Sequence, residues 1–354
     1  GCGVVPFRYR EASFVNASTV EGYNPYRISD EGIDWEVEDP DDPWSYVGYW
    51  GDHQIIYLQK LLELSQQFHP GRLGELLRRR LFSYANVPYR IKAFAAVLEN
   101  AKSTVDYDGE LALRIGKRVS ELGADGKLLL DADGQVYQVT LLEKLLVPLL
   151  GKLANLVVDG GIWLNTQRPE WNDANNALVG QGLSMVTLYY LRRYIRFLQT
   201  LLAAEQEPVR VSREVGQWLT ETAASLNSAR QLLKNGPVDA RQRYRMLLEL
   251  GQAASRYRLT VYAQESFTGV ESLDLRLIAG LLDDALAAID HSIRNNRRGD
   301  GLFHAYNLLE LKPDAAKIDT LYPMLEGQVA ALSSGAIPPA QAVELLEALF
   351  SSDV

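Results

Sequence analysis

Cysteine is almost absent from this 354-residue chain: Cys2 is the sole thiol, so no disulfide can form within it and packing must hold the fold. Histidine is scarce as well. His53, His69, His291 and His304 show no HExxH spacing and no paired cysteines accompany them, so no metal-ligand pattern is present and the expected chemistry uses no cofactor. Basic runs are short, limited to Arg78, Arg79 and Arg80 and to Arg297 and Arg298, against a formal net charge of -9. Such a charge distribution does not track a phosphate backbone, which argues against nucleic acid as a partner. No apolar run approaches the ~18 residues of a membrane span, which argues against a bilayer. The sequence shows no basic or apolar signal segment, and the expected location is the cytoplasm. Glycine-rich phosphate loops and GxSxG elbows are also missing, so nucleotide-enzyme and serine-hydrolase readings have no support.

What is present is a soluble, globular composition, with 47% hydrophobic and 23% charged residues. Residues 1–51 read as an ordered aromatic-rich loop region packed on the rest. They carry Tyr23, Tyr26, Trp35, Trp44, Tyr46, Tyr49 and Trp50 and no sustained 3.6-residue period. Disordered segments are poor in aromatics, so these rings need the protein body or a ligand to pack on. From residue 52 to 354 the pattern becomes one amphipathic helix after another. The spacing predicts helices over 52–69, 72–83, 88–101, 109–122, 140–158, 176–204, 211–234, 238–260, 271–296, 319–333 and 338–350. Ile278, Leu282, Leu286, Ile289 and Ile293 recur at three- and four-residue steps, as do Leu142, Leu145, Leu149, Leu153 and Leu156. One small β-hairpin is expected, 127–130 against 135–140, because Asp133-Gly134 supplies the positive φ of a tight turn. The same DADG is not an EF-hand loop, since Val136 and Leu142 stand where Gly and Glu would be required. The expected fold class is therefore all-α, a ring of helical hairpins, with loops at 1–51, 159–175, 261–270 and 297–318 carrying function.

Two segments combine aromatics with polar groups. The first, 161–176, holds Trp163, Trp171, Glu170, Asp173, Arg168 and several Asn between two strong helices, where a mere connection needs only turn chemistry. Asp173 or Asn172 also suits the N-cap of the following helix. The second, 44–54, places Asp52, His53 and Gln54 behind Trp44, Tyr46, Tyr49 and Trp50. Flat rings cover the apolar face of a pyranose, and Asp, His, Asn and Gln satisfy its hydroxyls. Asp52 equally suits a helix start through the macrodipole.

The stretch RPEWNDANNALVG resembles the acid loop of the cellobiose-phosphorylase-like glycosidases, whose catalytic domain is a six-hairpin (α/α)6 toroid. EGYNPYRI (21–28), GYWGDHQI (48–55), GDGLFHAYNLL (299–309) and LYPMLEGQVAALSSG (321–335) resemble parts of a large bacterial protein related to that group. The resemblance implies a general acid at Asp173. Because Pro169-Glu170 replaces the usual Gly-Asp before Trp171, Glu170 stays open as the acid.

Glycoside cleavage needs a protonated carboxyl for the leaving oxygen and a second group on the opposite face. Glu326, after a loop and before a small-residue helix, is the candidate base for attack by water, although an exposed helical glutamate reads the same way. His304 and Tyr306, near Arg297 and Arg298, would instead hold inorganic phosphate. Tyr23, Tyr26, Arg27, Trp50, Asp52, His53, Gln54, Trp171 and Asn172 are the candidate sugar contacts. The expected partners are an oligosaccharide, inorganic phosphate as an alternative acceptor, and further domains of a longer parent chain, since about eleven helices fall short of the twelve of a closed ring. The competing expectation is a toroid that binds a glycan or a protein without turnover.

Overall fold

One helix, Leu141–Leu153, has all of its residues buried, including Glu143, Lys144 and Lys152, and the rest of the molecule is arranged around it. The structure, a computed structural model, describes residues 15, 18–23, 27–29, 32–34, 54–165 and 178–354. Within them the elements are β1 (Arg27–Ser29), β2 (Gly32–Asp34), α1 (Gln54–Phe68), α2 (Arg72–Leu76), β3 (Arg80–Phe82), β4 (Tyr89–Ile91), α3 (Phe94–Glu99), β5 (Val105–Tyr107), α4 (Gly109–Leu122), β6 (Val139–Thr140) and the central α5 (Leu141–Leu153). There follow β7 (Leu156–Val157), β8 (Gly161–Trp163), β9 (Gly182–Ser184), α6 (Met185–Leu202), β10 (Val209–Ser212), α7 (Arg213–Leu233), α8 (Ala240–Gln264), β11 (Val270–Leu273), α9 (Leu275–Asn295), β12 (Tyr306–Lys312), β13 (Ala315–Thr320), α10 (Leu325–Ser333) and α11 (Pro339–Phe350).

The expected all-α (α/α)6 toroid is wrong: the chain is mixed α/β. An antiparallel sheet of five strands, in the order β13-β12-β9-β8-β7, is built into it, and four two-stranded pairs accompany it. The physical reason lies in the strands themselves. β7, β8 and β9 are two or three residues long and buried throughout, so they show no polar alternation and merge with the apolar stripes beside them. The helix expected over 140–158 stops at Leu153, and Asp159 at φ 68° and Gly161 at φ 125° turn the chain into β8. The helix expected over 176–204 begins only at Met185, where the Ser184 side chain accepts the Thr187 N–H at 3.0 Å. The loop expected over 297–318 contains β12 and the start of β13, paired from Asn307↔Thr320 to Lys312↔Ala315 across a turn with Asp314 at φ 61°. Residues 72–83 and 88–101 likewise divide into short helices and strands.

The turn over 131–134 is present, with Gly134 at φ 74° and the Asp131 N–H bonded to the Gln135 carbonyl at 2.8 Å, but its strands reduce to a Leu130↔Val136 bridge. Side-chain N-caps close α4, α6, α8 and α9, whereas α7 has none. Asp239 closes a capping box with Gln242 on α8, and Asp274 accepts the Arg276 N–H on α9. α7 packs against α8, α9 and α5, while α6 packs against α9, α10 and α1, so the leucine stripes meet one another around α5. Each such leucine contributes about 1.5–3 kcal/mol when fully buried. No helix among the described residues is long and apolar enough to cross a membrane.

Residues 18–23 form a buried turn lying on α5. The Lys144 Nζ donates to the Ser18 carbonyl at 2.9 Å and sits 3.9 Å from the centre of the Tyr84 ring. Tyr257 donates to the Val20 carbonyl at 2.8 Å. Gly22, at φ 88°, lies so close to the helix that a Cβ there would come within 2.8 Å of the Pro148 Cα and the Val147 carbonyl oxygen.

Candidate functional site

The described part of the aromatic N-terminal region and the root of the 161–176 segment meet in one crevice. Tyr23 comes to it from the buried turn, and Asn165 from the residues just after β8. Phe94 of α3 forms one wall. Its ring stands edge-on to Trp163 at 6.4 Å and fills the space where a Cβ on Gly251 of α8 would lie. Asn155, two residues beyond α5, and Arg258 of α8 complete the polar lining. The crevice is narrow, with room for about one water molecule.

The amides in this crevice have a fixed sense. Asn155 Nδ2 donates to the Gly151 carbonyl at 3.2 Å, which leaves Asn155 Oδ1 to accept from Asn165 Nδ2 at 2.8 Å. The Asn165 Oδ1 atom is then the free end of the chain of amides, buried and without a hydrogen-bond partner. Arg258 is 9% exposed, and its Nε is likewise buried with no partner. Among the described residues no carboxylate lies within ion-pairing distance of its guanidinium. Behind it, Tyr262 donates to Glu21 Oε1 at 2.5 Å. Burial, then the Glu21 charge, pushes the Tyr262 phenol well above the ordinary tyrosine range, so it remains a donor. Glu21 Oε2 has no partner. Arg258 and Asn165 therefore line one crevice with Tyr23 and Phe94.

A second polar corner joins the residues that precede β12 to the start of α10. Gln328 accepts the Phe303 N–H and donates to the Phe303 carbonyl, both at 2.8 Å, which sets Glu326 and His304 on neighbouring segments. The Tyr189 hydroxyl donates to the His304 carbonyl at 3.1 Å. Burial, then the Arg298 guanidinium, lowers the His304 pKa, so the ring favours its neutral form. His304 Nδ1 and Glu326 Oε1 are both buried without hydrogen-bond partners. Tyr306 opens β12 opposite Ser184 and is buried.

This corner and the crevice stand at opposite ends of β9. Tyr306 pairs with Ser184, whereas Leu164, next to Asn165, donates to the Gly182 carbonyl at 2.9 Å. The predicted residues are thus divided: Tyr23 is in the crevice, while His304, Tyr306 and Glu326 gather at the other end. Arg27 lies in β1 and Gln54 opens α1. Tyr26, Trp50, Asp52, His53, Glu170, Trp171, Asn172 and Asp173 lie outside the described residues.

Sequence reasoning missed Asn155, Asn165 and Arg258. Arg258 left a trace: it falls on the same face of α8 as Leu247, Gly251 and Ala254, a lone cation on an apolar and small-residue stripe. Asn165 fell within the 161–176 segment but was not distinguished from its other asparagines, and Asn155 left no signal, since an Asn after a helix reads as a turn residue. Among the described residues no group of His, Cys, Asp and Glu is placed to hold a metal ion. No protein-family model matches the chain, and no curated protein is significantly similar to it.

Proposed function

We propose that this chain is the working part of a carbohydrate-active enzyme that cleaves a glycosidic bond in an oligosaccharide by general acid catalysis, in the cytoplasm. The observation that carries the reading is the crevice. Tyr23, from the aromatic-rich region over 1–51, and Asn165, from the segment over 161–176, line it together with Phe94 and Arg258. Aromatic walls with a few convergent polar groups are the usual make-up of a small-ligand site, and of a sugar subsite in particular. The proton donor is assigned to the segment that continues from Asn165, at Asp173 with Glu170 as the alternative.

A neutral carboxyl beside the glycosidic oxygen supplies the proton that an alkoxide leaving group requires, and a partly dry setting raises a carboxyl pKa toward that state. The second group depends on the attacking species. Water needs a carboxylate base, for which Glu326 is the candidate; phosphate brings its own nucleophile. Asp173→Asn keeps size and capping ability but cannot give the proton, so turnover on a responsive glycan should fall by roughly 10²–10⁴-fold with the fold intact. Turnover should be measured with and without inorganic phosphate, beside the melting temperature, with Glu170→Gln in parallel. Release of sugar 1-phosphate only with phosphate present means phosphorolysis, and equal release without it means hydrolysis. Full activity in both variants refutes the catalytic assignment of this segment.

A further inference from the structure

We propose that the outer face of the helical hairpin α10–α11 docks a basic amphipathic helix of a partner protein. α11 is anchored to the body through one side. Leu345 is buried, Glu344 meets Arg297 Nη2 at 2.7 Å, and Ala348 lies 3.4 Å from where a Cβ on Gly301 would stand. Val343, Leu346 and Phe350, at steps of three and four residues, form a different stripe that stays in water, with Phe350 87% exposed. α10 packs beside α11 and leaves Leu325 and Val329, four residues apart, half exposed. Seven of the fifteen exposed large hydrophobic side chains among the described residues fall between Tyr322 and Val354. Singly scattered ones are ordinary on a protein surface, whereas a concentration of this kind marks an interaction face.

The i, i+3, i+7 spacing on α11 is the seam that one helix offers to another. Charge decides which helix fits. From Ile318 to Val354 the sequence has no Lys, Arg or His, but it has the carboxylates Asp319, Glu326, Glu344, Glu347 and Asp353. Among the described residues Arg297 is the cation that reaches α11, and it is spent on Glu344; none pairs with Glu347 or Asp353. A second copy of this chain seated on the stripe through the same face would bring carboxylates against carboxylates, and an anionic lipid surface would do likewise. Lys and Arg flanking the apolar stripe of a partner helix complement it instead. Exposed ion pairs add little affinity, so the apolar side chains supply the binding and the carboxylates supply the selection.

The test is fluorescence anisotropy of two fluorescein-labelled peptides of about 18 residues, roughly five helical turns, titrated with the whole chain. Both peptides carry leucine at steps of three and four; the remaining positions are lysine in one and glutamate in the other. The lysine peptide should bind and the glutamate peptide should not. Val343→Gln combined with Phe350→Gln removes the stripe without altering the charge, and should weaken the lysine peptide by about 10-fold or more. Both side chains are exposed, so the melting temperature should not change. Glu347→Lys combined with Asp353→Lys should invert the preference between the two peptides. Equal binding of the two peptides by the wild type, or no binding of either, overturns the inference. So does a lysine peptide that binds the Val343→Gln, Phe350→Gln variant as tightly as wild type, because it would then be following only the net charge of -9. Sedimentation equilibrium and flotation with phosphatidylglycerol vesicles cover the other occupants: a dimer, or vesicle binding, that the same double variant abolishes would assign the stripe to a second copy or to lipid and overturn the inference as well.

Discussion

Gly22→Ala isolates the docking of the buried 18–23 turn on the central helix. Two costs add at this position. The backbone is at φ 88°, where an L-residue with a Cβ loses about 1–2 kcal/mol relative to glycine. The new methyl would also stand 2.8 Å from the Pro148 Cα and from the Val147 carbonyl oxygen, both backbone atoms of a fully buried helix that cannot step aside. Overpacking of that kind costs roughly 1–3 kcal/mol, so the total is about 2–5 kcal/mol, a large part of the 5–15 kcal/mol by which domains are usually stable. Gly71→Ala is the matched control. It has φ 83° but nothing within 4 Å of its would-be Cβ, so it should show the conformational cost alone, about 1–2 kcal/mol. Equilibrium unfolding in urea of the wild type and both variants measures the two losses. Equal losses in the two variants, or a Gly22→Ala variant within 0.5 kcal/mol of wild type, would refute the close approach of the turn to α5.

Two further outcomes are expected. Because burial and Arg298 lower the His304 pKa from its ordinary 6.5, the unfolded chain takes up a proton at about pH 6.5 while the folded chain resists until lower pH. Stability contributed by the neutral ring is thus complete above 6.5 and is lost as the pH falls through the folded value. His304→Gln should flatten the melting temperature against pH below 6.5, and superimposable curves would contradict this. Asp159→Asn keeps the side-chain type that tolerates φ 68° but removes the charge facing Arg243 at 3.1 Å and His291 at 3.2 Å, so urea unfolding should show a loss of about 1–3 kcal/mol; no loss would mean that the turn before β8 does not depend on that ion pair.

The sequence by itself determined the long helices. α4, α7, α8 and α9 begin and end within a few residues of the expected spans, because a 3.6-residue apolar period and an Asp N-cap such as Asp108, Asp239 or Asp274 are local properties. Of the candidate sugar contacts, the structure places Tyr23 in the crevice. Tertiary structure alone decided the sheet. β9 is three residues long, and its partners β8 and β12 stand about twenty residues before it and more than a hundred after it, so nothing within Gly182–Ser184 distinguishes a strand from the first turn of α6. The β12–β13 hairpin was the exception: Pro313-Asp314 between two apolar runs is a turn signal that went unread. The crevice, too, is a product of tertiary structure. Which side chains line it depends on what the fold brings together from α3, from α8 and from the residues just after α5 and β8, and no local property of any one of these segments names the others.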